Sequence, residues 1–249
     1  MKVLVIPDIH LKPWIFDRAE DIMAAGKAER AVCLMDIPDD WGQEKNLGLY
    51  EKTFDRAIAW AKAHPDTLWC YGNHDVSYPW MKDETGYSRY AEVVVVMKLR
   101  ELRDALPDES QLAMIHRIGK VLFMHGGLSQ LFVRWQDEKF MKADIDEVVE
   151  MVNQASRNDL WRNDSPLWFR PQYDKVKMFR TKEYKQVVGH TPVEKIYEEH
   201  GVISTDVFST YSDGRQIGES AMIVIDTETG EFEKIEVPGA DGKIGAGTE

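Results

Sequence analysis

The stretch TLWCYGNHD, residues 67–75, joins a short apolar run to the four residues Gly72-Asn73-His74-Asp75. A short apolar run bounded by turn residues is typical of a buried strand. In open α/β sheets, functional groups collect just beyond the carboxyl ends of such strands. Four further polar groups follow short apolar runs in the same way: Asp8-Ile9-His10, Asp36-Ile37-Pro38-Asp39, His125-Gly126-Gly127 and Gly189-His190. This recurrence predicts a fold in which separate strands deliver polar side chains to one edge.

The first ninety residues alternate between strand and helix patterns. Continuous apolar runs predict strands at Val3–Ile6, Ala31–Met35 and Thr67–Tyr71, and helical spacing predicts helices over Trp14–Ala25 and Leu47–Ala63. Short links between them imply parallel strands joined by right-handed crossovers. Asp8, Asp36 and Asn73 each follow one of these strands, so we expect them to meet at one edge of an α/β sheet.

The second half of the chain has a different pattern. Helices are predicted over Tyr90–Ala105 and Asp144–Ala155, and a hairpin is predicted from Gln111–Ile115 and Lys120–Met124 around Gly119. Further strands are predicted at Lys185–Val188, Val202–Thr205, Ala221–Ile225 and Glu231–Glu236, which suggests a second, mixed or antiparallel sheet packed on the first. We expect one domain over residues 1–237 and a mobile tail over residues 238–249.

Composition and charge limit the possible partners. The 249 residues are 43% hydrophobic and 30% charged, which suits a globular chain with a full core. A net charge of −12 disfavours binding to long nucleic acid, because that affinity comes mainly from Lys and Arg. No apolar run approaches the ~20 residues of a membrane span. Cys33 and Cys70 lie in apolar runs, which favours buried free thiols in a reducing cytoplasm over a disulfide.

The polar groups match the needs of divalent metals, which favour carboxylate, imidazole and amide oxygen ligands. The candidate ligands are Asp8, His10, Asp36, Asn73, His125 and His190. Two metals lying ~3.5–4 Å apart can generate a bridging hydroxide that attacks phosphorus in line. The leaving group then needs a proton, for which an imidazolium held by a carboxylate is suited near neutral pH. The pattern predicts a metal-dependent phosphoesterase.

Taken together, the five polar groups resemble the motifs of the calcineurin-like metallophosphoesterase superfamily, from residue 3 to about residue 206. The strings HGGLS at residues 125–129 and PLWFR at residues 166–170 resemble most its phosphoprotein phosphatase and diadenosine tetraphosphatase branch. The resemblance implies a four-layer α/β/β/α sandwich, in which two mixed sheets are flanked by helices.

The resemblance also implies a role for each matching residue. One metal would be held by Asp8, His10 and Asp36, and the second by Asp36, Asn73, His125 and His190. His74 would donate the proton to the leaving group, Asp39 would orient His74, and Arg170 would contact the phosphate. The implied cofactors are two divalent ions, with Mn, Fe and Zn all open.

The sequence departs from the family pattern where the phosphate is bound. Met35 stands where a Gly is usual, Asp40 and Tyr71 stand where phosphoprotein phosphatases have Arg, and Pro192 stands where many members have a ligand His. A phosphomonoesterase of the protein phosphatase type is favoured. A phosphodiesterase, a dinucleoside polyphosphate hydrolase and a non-catalytic metal-binding module remain alternatives. The substrate would be a phosphorylated small molecule, a nucleotide or a phosphoprotein.

Several other residues have less specific interpretations. Arg89 and Arg180 are candidates to replace the missing arginines. Trp41 and Trp80 follow polar groups closely and are candidates for the wall of the site. Asp206 and His116 are expected to be solvated surface residues. We therefore expect to find Arg89, Arg180, Trp41 and Trp80 near the site, and Asp206 and His116 in contact with solvent.

Overall fold

The computed structural model describes residues 1–239, which form two mixed sheets flanked by helices. Its strands are β1 (Lys2–Ile6), β2 (Arg30–Cys33), β3 (Leu68–Cys70), β4 (Leu112–Ala113), β5 (Ile115–Ile118), β6 (Val121–Met124), β7 (Lys185–Val188), β8 (Tyr197–Glu199), β9 (Val202–Ser204), β10 (Ala221–Asp226) and β11 (Phe232–Glu236). The helices are α1 (Trp14–Ala24), α2 (Leu47–Ala63), α3 (Asn73–Trp80), α4 (Glu92–Ala105), α5 (Gln130–Gln136), α6 (Ile145–Gln154) and α7 (Arg157–Leu160), with short 3-10 helices at Glu109–Gln111 and Glu138–Met141.

The first sheet is built around the predicted crossovers. Its strand order is β11-β10-β1-β2-β3-β4, and β1 to β4 are parallel. The carboxyl ends of β1, β2 and β3 therefore lie at one edge, as the sequence predicted. Strands β10 and β11 add to the other side in antiparallel pairing, rather than joining the second sheet as expected.

The second sheet has the order β5-β6-β7-β9-β8 and is mixed. Strand β6 shows why this sheet is covered on both faces. Val121 and Phe123 point into a core shared with the first sheet, while Leu122 and Met124 pack with the apolar faces of α5 and α6. The alternation of side chains along a strand thus gives each face its own helical or sheet partner. The predicted α/β/β/α sandwich is confirmed.

The predicted hairpin is correct in its turn and wrong in its first arm. The expected arm Gln111–Ile115 is divided between the two sheets, because β4 pairs with β3 while β5 pairs with β6. Where the chain passes from one sheet to the other, Asn153 Oδ1 accepts hydrogen bonds from the backbone N–H groups of Met114 and Ile115, at 3.0 Å each. Hydrophobic pattern alone does not mark this crossing.

His116 lies at the same crossing and is buried, so the surface expectation is wrong. Its Nε2 lies 3.1 Å from the carbonyl oxygens of both Trp69 and Gln111. Burial lowers the pKa of His116 to about 4, so the imidazole is neutral at pH 7. His116 therefore links the two sheets through polar contacts.

Both cysteines are buried free thiols, as expected. Pro238 O accepts a hydrogen bond from Arg18 Nε at 3.0 Å, and residues 240–249 of the predicted tail lie outside the described residues. Within residues 1–239, no helix combines the length and apolarity needed to cross a membrane. The single-domain assignment stays a prediction.

Candidate active site

The loops that follow β1, β2 and β3 meet the loops that follow β6 and β7 at one edge of the two sheets. The first two loops are joined by backbone bonds, with His10 N donating to Asp36 O at 2.8 Å. The second pair is joined by Gly189 N, which donates to His125 O at 2.8 Å. Five of the six predicted ligands are buried, and His10 is partly exposed: Asp8, Asp36, Asn73, His125 and His190 are the buried five. The structure therefore brings all six together.

Asp36 lies at the centre of this group. Its Oδ2 is 3.2 Å from His125 Nε2 and 3.6 Å from His10 Nε2. Candidate ligand atoms of Asp36, His125 and His190 lie within 4.8 Å of one another, and so do those of His10, Asp36 and His74. One carboxylate is therefore shared between two groups that could each hold an ion. His74 falls in the group with His10 and Asp36, where the sequence placed Asp8.

Asp8 lies beside these groups and has one oxygen available. Its Oδ2 accepts from His190 N at 2.8 Å, and its Oδ1 is buried without a hydrogen-bond partner. A Cβ on Gly189 would lie 1.8 Å from Asp8 Oδ1, so this approach requires glycine. Gly72 is required for the same reason, since its Cβ would lie 2.1 Å from Asp36 Oδ1. The two glycines in the motifs are explained by close contact with carboxylates.

The histidines are oriented by backbone carbonyls. His10 Nδ1 lies 2.9 Å from Asp39 O, and His125 Nδ1 lies 3.3 Å from Leu34 O. An N–H on Nδ1 that donates to a carbonyl leaves the Nε2 lone pair free for a metal. The Nε2 of His190 is buried without a partner. Its Nδ1 lies 3.1 Å from His125 Nε2 and is therefore the His190 nitrogen that faces the other ligand atoms. Asp8 Oδ1, which has no partner among the described residues, is a carboxylate oxygen that a divalent ion would satisfy.

Charge is concentrated at the site. Burial and the neighbouring Asp206 carboxylate raise the pKa of Asp8 well above its usual range. Burial would also raise the pKa of Asp36, but the charges of His125 and His74 outweigh it and hold that pKa below its ordinary value. For His125, burial is outweighed by Asp36 and Asp8, which raise its pKa to about 9. The protein thus compensates its buried carboxylates with protons, a task that bound cations would take over.

The loop around Asp36 is strained and is held by Asp75. Met35 and Asp36 have φ of +57° and +45°, in the left-handed region. Asp75 accepts hydrogen bonds from the N–H groups of Asp36, Ile37 and Gly72 at 2.9, 3.0 and 2.8 Å. The usual glycine at position 35 now has a physical reason, because only glycine adopts this φ without cost. Met35 adopts it with its side chain fully buried.

His74 and Asp39 form the predicted pair. His74 Nδ1 lies 2.9 Å from Asp39 Oδ2, and the hydroxyls of Tyr50 and Tyr78 donate to Asp39 Oδ1 at 2.7 and 2.5 Å. Burial would lower the pKa of His74, but the charges of Asp36 and Glu84 outweigh it and raise that pKa to about 10. The sequence analysis did not predict the contact of either tyrosine with Asp39, since neither lies in a motif.

Arg170 lies in the wall of the cavity, with its Nη1 donating to His190 O at 2.8 Å. Its segment is held against the HGG motif, because Gly126 N and Gly127 N donate to Pro166 O and Phe169 O. Neither Arg89 nor Arg180 lines this cavity. Arg89 pairs with Asp83, and Arg180 pairs with Glu183 in a separate groove.

The cavity has a volume of about 280 Å³ and an acidic wall. Trp41 lines it as predicted, whereas Trp80 packs against Trp161 at a centroid distance of 6.1 Å and does not. Asp206 is buried in the wall, so the expectation of a solvated residue is wrong. Ser209 donates to it from both its N–H and its Oγ, which is why a buried carboxylate is tolerated there.

The fold and the geometry agree with comparisons to known proteins. The chain matches the calcineurin-like phosphoesterase family model over residues 1–215 and belongs to this family. Members of this family use divalent metals in the hydrolysis of phosphate esters. Comparison with curated protein sequences gives no match for this chain.

Solved structures with the same fold include a cold-active protein tyrosine phosphatase from a psychrophilic Shewanella. It covers 94% of this chain and 80% of its own, with 17% identity and a TM-score of 0.55. Another structure of cold-active protein tyrosine phosphatase covers 94% and 78%, with 18% identity and a TM-score of 0.54. An archaeal phosphodiesterase covers 94% and 99%, with 13% identity and a TM-score of 0.42. The first two support the fold and, at these identities, nothing finer.

Proposed function

We propose that the protein hydrolyses phosphomonoesters at a centre of two divalent ions. The observation that carries this proposal is the position of Asp36, whose one carboxylate lies within 3.2 and 3.6 Å of histidine nitrogens from two different groups. Both contacts are made by Oδ2, while Oδ1 accepts a hydrogen bond from His74 N, so Oδ2 is the oxygen that two ions would share.

The residues present suit such ions. Asp8, His10 and Asp36 would hold one, and Asp36, Asn73, His125 and His190 would hold the other. The unpartnered Asp8 Oδ1 and the position of His190 Nδ1 at 3.1 Å from His125 Nε2 support this assignment. Oxygen and imidazole ligands without thiolate suit Mn, Fe or Zn. Bound divalent ions supply a nucleophile from water at neutral pH and offset charge on the phosphate.

The chain itself contributes the proton donor and a phosphate contact. His74 lines the cavity with Asp39 bonded to its Nδ1, so its Nε2 is the atom that would protonate the leaving oxygen. Arg170 is the arginine in the cavity wall and would bind a phosphate oxygen. With Asp40 paired to Lys12 at 2.8 Å, the position of a second phosphate-binding arginine carries a neutralised acid instead.

Several features favour a monoester over a polyphosphate. Among the described residues that line the cavity, Arg170 is the one arginine or lysine, and Glu44 adds negative charge, so additional phosphates would meet no further cation. The Shewanella structure of the same fold is described as a protein tyrosine phosphatase. A phosphodiester is the second candidate. A monoester carries a second negative charge, and a site whose arginine is Arg170 has fewer cationic groups to bind it.

We also propose a cytoplasmic location and no role for long nucleic acid. The free thiols Cys33 and Cys70 support a reducing compartment, and the net charge of −12 opposes a polyphosphate strand.

The test is metal-dependent turnover of p-nitrophenyl phosphate beside its bis-ester. Wild-type protein stripped with a chelator and reloaded with Mn²⁺ should bind two ions by elemental analysis and hydrolyse the monoester faster. Asp36→Asn and His125→Ala should no longer hold two ions together and should lose nearly all turnover. Asp21→Asn, an exposed change on α1, should behave as wild type. Equal activity of wild type and Asp36→Asn would refute the proposal, and faster turnover of the bis-ester would replace the monoester by the diester.

A further inference from the structure

Glu84 is a buried carboxylate that belongs to none of the motifs. It lies in the segment between α3 and α4, and its side chain is 6% exposed. Its Oε2 accepts a hydrogen bond from Asn73 Nδ2 and lies 3.9 Å from His74 Nε2. Its Oε1 is buried without a partner. Glu84 therefore touches two residues of the proposed site at once.

The contact with Asn73 has a definite chemical consequence. A side-chain amide binds a metal through Oδ1, because its NH₂ group only donates hydrogen bonds. Asn73 Oδ1 lies 2.9 Å from His125 Nε2, and its Nδ2 points to Glu84. Rotation of the amide by half a turn would place oxygen against the carboxylate and NH₂ against the ligand histidine. An ionised carboxylate accepts hydrogen bonds only, so it opposes this rotation.

The segment that carries Glu84 is itself fixed. A Cβ on Gly86, which has φ of +92°, would lie 3.3 Å from His74 Cε1, so the segment packs directly on the His74 ring. Two residues further on, Ser88 N donates to the Tyr78 hydroxyl at 3.0 Å. Since Tyr78 also bonds Asp39, the Glu84 segment is tied to the same buried group as the proton donor.

We propose that Glu84 is a positioning residue that holds the Asn73 amide with Oδ1 facing the second metal. This inference rests on the proposed function, because it concerns the ligand set of that centre. It predicts that the affinity for the second ion depends on a group at position 84 that accepts the hydrogen bond of Asn73 Nδ2 and cannot donate one to Oδ1.

The test compares Glu84→Gln with Glu84→Ala, with Asp83→Asn as a matched control. Gln keeps an acceptor for Asn73 Nδ2 without the charge, Ala removes both, and Asp83 is an exposed neighbour. Mn²⁺ binding to the folded, metal-stripped proteins is followed by calorimetry and elemental analysis at about pH 8, well above the ordinary pKa of a carboxyl group. Loss of a group that orients a ligand weakens metal binding by ~10–100-fold. We expect that loss at the second site in Glu84→Ala and near-normal binding in Asp83→Asn. Glu84→Gln should show a smaller loss than Glu84→Ala, because its amide can accept from Asn73 Nδ2 but can also donate to a rotated Oδ1.

A second pair of variants changes the sign of the effect. Asn73→Asp supplies two equivalent oxygens, so it needs no orientation and is repelled by Glu84. Glu84→Ala should therefore strengthen Mn²⁺ binding in the Asn73→Asp background, although it weakens binding in wild type. A gain in affinity cannot arise from poor folding of the variant that carries Glu84→Ala, so this comparison tests the inference even if that change lowers stability.

The outcomes separate this inference from the proposed function. If wild type binds two ions and Glu84→Ala binds them equally well, the inference about Glu84 is overturned and the proposed function is not. Equal weakening in Gln and Ala variants would also overturn it, because charge would then be the cause. Wild type that neither binds Mn²⁺ nor hydrolyses any ester would overturn both.

Discussion

Replacing Asp39 with Asn tests the proton donor most directly. In the protein His74 Nδ1 lies 2.9 Å from Asp39 Oδ2, and two tyrosine hydroxyls donate to Asp39 Oδ1. In Asp39→Asn the amide oxygen would stay with Tyr50 and Tyr78, and the NH₂ group would face the N–H of His74. A charge-assisted hydrogen bond worth ~1.5–3 kcal/mol is replaced by two opposed donors.

The magnitude and the pH dependence follow from this loss. If His74 is the proton donor, as proposed, activity requires its protonated form and is lost as pH rises through the pKa of His74. The pKa of about 10 has Asp36 as its first raising cause, and bound cations would offset that charge, so the alkaline limb should lie below 10. Removing the Asp39 charge should move this limb down by about one pH unit or more. Loss of an effective general acid should lower kcat by ~10²–10⁴-fold.

The assay uses two leaving groups. Phenyl phosphate needs a proton on its departing oxygen far more than p-nitrophenyl phosphate, which leaves as a stable anion. Asp39→Asn should therefore lose the larger factor on phenyl phosphate, with two Mn²⁺ ions still bound. Equal losses on both esters, or loss of metal along with turnover, would refute the role of His74 as proton donor.

Three further changes test other parts of the structure. Gly189→Ala places a Cβ 1.8 Å from Asp8 Oδ1, so Mn²⁺ affinity should fall at least ~10-fold by calorimetry, and unchanged affinity would contradict the contact. Met35→Gly relieves ~1 kcal/mol of left-handed strain but removes a fully buried side chain worth ~2–5 kcal/mol, so urea unfolding should show a net loss of ~1–4 kcal/mol, and a gain would reverse the balance. His116 has a folded pKa of about 4 against an ordinary 6.5, so wild type should lose up to ~3 kcal/mol of stability as pH falls from 6.5 to 4. His116→Gln should lose correspondingly less over that range. Parallel curves of unfolding free energy against pH for the two proteins would refute the buried neutral histidine.

The sequence predicted the parts of the fold that depend on hydrophobic periodicity. The bounds of α2 agree with the prediction, Leu47–Ala63, because its apolar face repeats at helical spacing and Pro65 follows. Strands β1, β2 and β3 were found for the same reason, and their parallel order placed Asp8, Asp36 and Asn73 at one edge. Helix α3 was missed because it begins inside the motif itself, at Asn73, where polar residues obscure the pattern.

The site could be predicted only as far as its motifs extend. The metal-ligand candidates and the pair of His74 and Asp39 lie in short strings that keep their meaning without coordinates. The sequence analysis did not name Glu84 and expected Asp206 in solvent. Their burial beside the site was known only from the structure, since a single acid in a loop has no signature in the sequence. Tertiary contacts also decided against Arg89 and Arg180, whose distance from the cavity no pattern encodes.

Backbone strain shows why the remaining features depend on the whole fold. Among the described residues, nine other than glycine have positive φ, and six of them belong to the site loops: His10, Leu11, Met35, Asp36, Asp39 and His190. Each costs of order 1 kcal/mol, and sequence-local preference would place none of them there. They persist because buried groups such as Asp75 fix the loops from behind, with three backbone N–H groups bonded to one carboxylate. Asp75 is itself a buried acid whose pKa burial and Asp36 raise to about 7, so the support for the site is as polar and as hidden as the site. Cations bound at Asp36 would offset the charge of Asp36 that raises the pKa of Asp75. Metal binding would in this way stabilise the loop that would hold the metals.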